Sequence, residues 1–427
     1  MKTKGSITSR WISYASRKYG SFDRRIYVLS LGWLVTATGF AMVIPYITIY
    51  FNQELKISTT LIGVFFGFTA ILRSVPQPLA GWLSDRVGRV RIMSWSQVAR
   101  SLTFIAVAYA IFHDMGFWPI AIIIAFNFIF GAVLYPLASA MVADMVPREQ
   151  RLAAFSFMRI AANLGWALGP ALGGFIASKS YPLLFIVGGI IALVSGIYFA
   201  LALKDIPRSI KKATVSGFSF RDVFSVSQDR LLFRHCLITF ILLMTVAQLV
   251  AALSLYATGW IRLSQSQLGI LFLVNGGLVV LLQIPVSDLF RKMRLTHQMA
   301  LGSFLYFLGY FLVGQAGGFI SLLLCIVVIS IAEMIVFPPA STMVANLSPP
   351  DQYGHYMGIY GLFQMFGWSL GPTLGGTLLD VFHDNASIMW AVVSFMSLIA
   401  GLLYIHFSRR LSPLTNSGRS EDEVLNG

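Results

Sequence analysis

Apolar runs about one bilayer wide alternate with short polar connections along the whole chain. Twelve such stretches can be marked, at residues 26–51, 60–83, 92–112, 117–143, 153–177, 181–203, 234–258, 266–288, 297–316, 319–345, 355–379 and 387–408. Each is roughly 20–26 residues long, against the ~20 a helix needs to cross the hydrocarbon core. Backbone N–H and C=O groups cannot stay unpaired in lipid, so continuous stretches of this length are helices. The strict apolar/polar alternation of a membrane barrel is absent. The pattern predicts an all-α membrane protein with twelve transmembrane helices.

Composition leaves little else. Hydrophobic residues make up 57% of the chain and charged residues 11%, against roughly 45–50% and 25% in soluble domains. The net charge of +14 is not a nucleic-acid stripe, because the basic residues sit between the apolar runs. Of the 31 Lys and Arg, 25 fall on one side of the predicted membrane; Lys56, Lys179 and Arg262 fall on the other. The positive-inside rule places both termini and the long middle connection in the cytoplasm, most simply at a plasma (inner) membrane. Cys236 and Cys325 lie inside apolar runs as inert thiols.

The chain is also duplicated. Residues 136–174 and 338–376 align without a gap at an offset of 202, and sixteen of the 39 positions are identical. The identities concentrate in Gly165-Trp166-x-Leu168-Gly169-Pro170-x-Leu172-Gly173-Gly174 and Gly367-Trp368-x-Leu370-Gly371-Pro372-x-Leu374-Gly375-Gly376. A duplicated apolar half points to a secondary transporter working at the seam between its repeats. The predicted organisation is an N-terminal six-helix bundle over 1–203, a cytoplasmic linker over 204–233, a pseudo-symmetric C-terminal six-helix bundle over 234–408, and a disordered cytoplasmic tail over 409–427. The linker's composition fits a plain tether; its last part also suits an amphipathic surface helix.

The stretch Gly81-Trp-Leu-Ser-Asp85-Arg86-Val-Gly88-Arg89-Val90-Arg91 follows the second apolar run, and a degenerate echo, Ser287-Asp288 to Arg294, follows the eighth. The first copy resembles the signature loop of the major facilitator superfamily, with Val90 replacing one basic position. Gly165, Gly169, Pro170, Gly173 and Gly174 resemble the motif of its twelve-helix drug:proton antiporter group, with Ser156 in place of that motif's first glycine. The resemblance implies two bundles around a central cavity, alternating access, helices 1, 4, 7 and 10 lining the cavity, and helix pairs 5/8 and 2/11 making the moving contacts. It also implies a gating role for Gly81, Asp85, Arg86, Gly88 and Arg89. The glycines, with Pro170, Pro372 and their mates Gly367, Gly371, Gly375 and Gly376, are expected to pack and hinge helices rather than touch substrate. A helix-four arginine common in the family is missing: Asn127 stands four residues before Gly131, with Arg100 and Arg159 as candidates to substitute.

Glu333 is the single acid well inside a stretch. A charge there costs roughly 2.5–3.5 kcal/mol, so it must face a cavity or take a proton. Its repeat mate is Gly131, and the resemblance to proton-coupled members makes it the proton-coupling residue. Arg73, mid-way through the second stretch, needs a partner. Glu333 and an anionic ligand are the two options. Arg100 and Arg159 lie close enough to helix ends to snorkel. Tyr46, Asn127, Tyr135, Gln248, Asn275, Gln283 and Phe337 are further cavity candidates. No Walker loop, metal-spaced His/Cys set or nucleophile elbow is present, so neither an enzyme nor a cofactor is expected. The expected function is a proton-coupled multidrug efflux antiporter for small amphipathic or hydrophobic compounds, a monomer in lipid whose partners are its substrate and protons. The alternatives are a uniporter or symporter of a polar solute (sugar, organic anion or lysolipid) and a membrane receptor without net transport.

Overall fold

The computed structural model describes residues 23–74, 76, 83–84, 86–146, 151–203, 229–349 and 353–417. Among these, α-helix occupies each of the twelve expected places. α1 is Arg24–Ile49, ending in a π turn at Tyr50–Glu54; α2 is Thr59–Ser74 and α3 Arg89–Phe112. α4 comes in two pieces, Phe117–Ala132 and Leu134–Met145; α5 is Arg151–Ala177 and α6 Tyr181–Ala202. α7 is also broken, into Arg230–Val246, a 3-10 turn at Ala247–Leu249, and Ala252–Gly259. Then come α8 Gln265–Phe290, α9 Leu295–Val313, α10 Phe319–Leu347, α11 Tyr353–Val381 and α12 Ala386–Ser408. Eight helices among the described residues are long and apolar enough to cross a membrane.

The breaks have local causes. Pro136 cannot donate to the Ala132 carbonyl, and α4 is interrupted at Val133. In α7 the Gln248 side chain takes the Met244 carbonyl at 2.7 Å, the acceptor its own backbone would use, and the helix tightens there. Helix starts are capped: Ser180 accepts from Leu183 N–H, and Ser264 forms a capping box with Gln267.

By Cα proximity the chain falls into two compact units. One comprises Met1–Val43, Leu72–Gly169 and Lys179–Ser209; the other comprises Ile44–Ile71, Pro170–Ser178 and Ile210–Gly427. The division therefore cuts through α1, α2 and α5 instead of following the expected 1–203 and 234–408 boundaries. The cause lies in how the second unit is packed. Gly174 of α5 lies against Tyr46 and Gln265, and Gly269 of α8 against the Pro170 carbonyl. Gly376 of α11 lies against the Thr59 backbone at the start of α2, where Asp380 receives Thr59 N–H at 3.1 Å, Thr59 Oγ1 at 2.6 Å and Thr60 N–H at 2.7 Å. A residue of α11 thus caps α2.

Within the first unit, α5 lies on α1: a Cβ on Gly169 would stand 2.6 Å from Thr38 O and 2.8 Å from Met42 N. Within the second, α11 lies on α7 in the same way, with a Cβ on Gly371 2.5 Å from Ala247 Cβ. Gly173 of the same motif lies in α5 as well. The tail expectation needs correcting in part. Residues 409–417 fold back in turns, with Asn416 accepting from Thr296 N–H and donating to Ser408 Oγ, while Asn346 donates to Thr415 O and Ser417 O. The short side chain of Asn416 makes it a cap for α9, which composition alone did not reveal. The linker residues 204–228 and residues 418–427 lie outside the described set.

Two outcomes follow from this packing. Gly169→Ala and Gly371→Ala place a methyl against backbone or a fixed Cβ, and each should destabilise the protein by about 1–3 kcal/mol. Gly361→Ala, on α11 with nothing within 4 Å of its added Cβ, should be neutral or stabilise by up to about 1 kcal/mol. Thermal unfolding in detergent compares all three, and equal effects would remove the packing argument. Separately, burial raises the Asp380 pKa, but the hydrogen bonds from Thr59 and Thr60 outweigh it and hold the carboxyl below its ordinary value. The cap is therefore at full strength above the ordinary pKa and is lost as pH falls through the lowered one. Asp380→Asn should cost about 1 kcal/mol near neutral pH and flatten the acid limb of a melting-temperature series. An unchanged acid limb would rule this out.

Candidate functional site

The second unit carries the acid. Glu333 is half-buried in α10, and its Oε2 accepts from Asn275 Nδ2 of α8 at 3.3 Å. The same amide donates to Ser330 Oγ at 2.9 Å, one turn before Glu333, and Ser330 back-bonds to the Ile326 carbonyl at 2.7 Å. Tyr306 and Tyr310, stacked at 6.0 Å on α9 and fully buried, lie within electrostatic range of the carboxylate. Tyr310 donates to Val246 O at the break in α7, whereas the Tyr306 hydroxyl has no hydrogen-bond partner among the described residues. The carboxylate thus has the Asn275 amide as a hydrogen-bond partner, shared with Ser330, and two phenols within electrostatic range.

Below it, Pro338 and Pro339 withdraw the two N–H groups that would bond the carbonyls of Met334 and Ile335. Gln283 Nε2 of α8 fills one gap, donating to Met334 O at 3.0 Å while also reaching Ser287 Oγ. A cavity of about 150 Å³ opens beside this break, lined by Ser287, Arg291, Gln298, Pro338, Pro339 and Thr342 among others. Phe337, one residue before the proline pair, is half-buried. Asn275, Gln283 and Glu333 are therefore brought together on the facing parts of α8 and α10.

The first unit carries cations. Asn127 is buried in α4, donating to Arg100 O at 3.1 Å and Thr103 Oγ1 at 2.8 Å. Arg100, only 3% exposed, does not snorkel as expected. Its Nε donates to Asn127 Oδ1 at 3.4 Å and its Nη1 to Gln97 Oε1 at 3.1 Å, and a Cβ on Gly131 would lie 3.2 Å from Nε. The guanidinium of α3 thus rests on two α4 positions, Gly131 and Asn127, the latter standing where the family's arginine is missing. The network continues from Gln97 through Thr36 Oγ1 to Ser195 Oγ, linking α3, α1 and α6. Arg159 is exposed, in keeping with a place near a helix end. Arg73 has its guanidinium 5.6 Å from the Phe128 ring centroid; among the described residues no carboxylate pairs with it.

Three cavity candidates are committed elsewhere. Tyr46 is fully buried and donates to Pro170 O at 2.6 Å; Gln248 is fully buried and donates to Met244 O and Gly371 O. Tyr135 is 59% exposed and leans on Trp33 at 5.8 Å. All three brace helix contacts. Of the signature loop, Gly81 and Asp85 lie outside the described residues. Arg86 is exposed, and Gly88 caps α3 with φ of 105°, a conformation that needs glycine. Arg89 forms an ion pair with Asp144 at the end of α4, tying the loop to that helix. Sequence reasoning missed Gln97, Tyr306 and Tyr310. The signals were there to read: Gln97 and Arg100 are three apart and Tyr306 and Tyr310 four apart, each pair on one helical face.

Comparison with known proteins agrees with this architecture. The sequence profile of the Major Facilitator Superfamily matches residues 29–319 and 236–425. An uncharacterised MFS-type transporter, YttB of Bacillus subtilis (strain 168), is 27% identical over 89% of this chain and 95% of its own length. The quinolone resistance protein NorA of Staphylococcus aureus (strain MSSA476) is 24% identical over 87% of this chain and 93% of its own. Among solved structures, a point mutant of the nucleoside transporter NupG aligns with a TM-score of 0.73 at 14% identity, covering 90% of this chain and 99% of that one. A peptide transporter POT in complex with sulfate aligns at 0.72 and 16% identity, covering 92% and 96%; at these identities both show the fold alone. With its helices, its repeated glycines and this profile match in agreement, the chain belongs to the major facilitator superfamily of membrane transporters.

Proposed function

We propose that the protein is a proton-coupled antiporter that exports small amphipathic or hydrophobic compounds by alternating access. Its twelve helices would lie in the plasma (inner) membrane, with both termini cytoplasmic. The observation that carries this reading is Glu333, the one acid well inside an apolar stretch, half-buried beside Asn275, Ser330 and two buried tyrosines. A carboxylate so placed is costly to keep charged and inexpensive to neutralise, so proton uptake and release are its natural chemistry. Asn275 has acceptors in both Ser330 and Glu333, so it retains a partner when the acid is protonated. The likeness to NorA, named for quinolone resistance, supports export as the direction.

In this reading the carboxylate loads a proton from one side, and substrate binding favours its release on the other. The close helix contacts at Gly165, Gly169, Gly367 and Gly371 would persist as rigid joints while the contacts at Gly174 and Gly376 form and break. The cluster around Gln283 and the Pro338–Pro339 break gives α10 a place to flex.

Glu333→Gln tests the proposal. In proteoliposomes with an imposed pH gradient, proton-driven substrate movement should fall to the level of empty vesicles. Substrate binding to the purified variant should stay near that of the wild type, because the amide preserves the hydrogen bonds to Asn275. Wild-type transport rates in the variant would eliminate Glu333 as the coupling group.

A further inference from the structure

We infer that the first unit holds a recognition site for planar aromatic anions, formed by Arg73, Arg100, Phe40, Phe128 and Trp166. This names the substrate class for the export reading above and rests on it.

Two guanidinium groups flank one aromatic cluster. Arg73 Cζ lies 5.6 Å from the Phe128 centroid and Arg100 Cζ 5.2 Å from that of Phe40. The two rings meet edge to face at 5.7 Å, and Trp166 meets Phe40 the same way at 6.0 Å. The five side chains come from α1 to α5, so five helices converge on the cluster. Among the described residues neither cation has a counter-charge. None of the six apolar stretches between residues 26 and 203 contains Asp or Glu. The described carboxylates of this unit stand at helix ends, where Asp23 pairs with Arg25 and Asp144 with Arg89.

The two arginines differ in what remains free. Arg100 is spent on Gln97 and Asn127 and is held in place by Phe40 and Phe104. It contributes a fixed positive potential from behind the rings. Arg73 has no hydrogen-bond acceptor among the described residues, so its planar fork of donors is open to a carboxylate. Trp166 is partly exposed and offers an indole face for an aromatic ring to stack on. Charge and aromatic surface together select a flat ring bearing an anionic group and disfavour an organic cation, which would meet two positive charges and no acid.

Equilibrium binding tests the site without reading transport, so a failure of proton coupling and a failure of this inference are separate results. The purified protein in lipid nanodiscs at pH 7.5 is titrated by calorimetry with 2-naphthoate, 2-naphthamide and 2-naphthylmethylammonium. The acid should bind at least about tenfold more tightly than the amide, and the ammonium more weakly than either. Arg73→Gln should erase the preference for the acid over the amide, while Arg73→Lys should keep part of it. Quenching of tryptophan fluorescence by naphthoate should drop in Trp166→Phe, and calorimetric affinity for all three compounds should weaken with it. The inference is overturned if the wild type binds the ammonium as well as the acid, if none of the three binds, or if Arg73→Gln keeps the acid preference.

Discussion

Backbone contact at glycine is the constraint on which the rest of this structure depends. Lipid tails are as apolar as leucine, so helices gain little from burying apolar side chains against one another in a membrane. What remains is van der Waals packing, which is strongest where two backbones approach closely. Gly165 and Gly169 bring α5 onto α1, and Gly367 and Gly371 bring α11 onto α7. Further along the same two helices, Gly174 meets Gln265 and Gly376 meets Thr59. Each helix therefore packs through one pair of glycines on α1 or α7 and through another glycine on a helix from elsewhere in the chain. The second type is reinforced by polar groups, Tyr46 on the Pro170 carbonyl and Asp380 on Thr59 and Thr60. Hydrogen bonds of that kind can be exchanged for water, whereas a glycine joint has nothing to exchange.

On that symmetric frame the chemistry is asymmetric. Gly131 and Glu333 are repeat mates, and at the same offset Arg100 corresponds to Gly302. In one copy a cation from α3 fills the space above a glycine of α4. In the other, a glycine of α9 packs on the Ala332 carbonyl, beside the acid of α10. Duplication supplied two equivalent helix pairs, and a single charge on opposite members of each pair made them different. The same divergence appears at Asp144, which holds Arg89, and its mate Asn346, which holds the C-terminal turn.

Much of the fold was legible because membrane helices carry their signal in length and composition. Among the described residues helix stands in each expected stretch, and the repeat located the close joints. Three kinds of feature were not legible. Arg100 looked able to snorkel because distance along a helix says nothing about which face it lies on; Gln97, Asn127 and Gly131 together turn it inward. Tyr46 and Gln248 looked like cavity polarity, yet each answers a carbonyl of a neighbouring helix, a need visible only once the helices are packed. The 409–417 segment looked like tail because Asn416 caps a helix more than a hundred residues earlier. The division into compact units missed the chain's midpoint for the same reason: long-range hydrogen bonds, unlike apolar runs, leave no local trace.

The sign of the cargo matters for the energetics of the proposed exchange. Moving one elementary charge across a membrane potential is worth about 2.3 kcal/mol per 100 mV. With the cell interior negative, an organic cation leaves against that term, and a single entering proton only repays it. An organic anion leaves with it, and a proton entering adds to the same direction. Under the proposed exchange, a first unit whose Arg73 and Arg100 pair with no described carboxylate, and a second with one acid well inside an apolar stretch, would suit the second case. In that proposal the positive potential around Arg73 and Arg100 would draw the anion in, and Glu333 would need to carry only one proton per cycle. A cation exporter facing the opposite gradient would gain from an acid beside the aromatic cluster, and the apolar stretches of the first unit contain none.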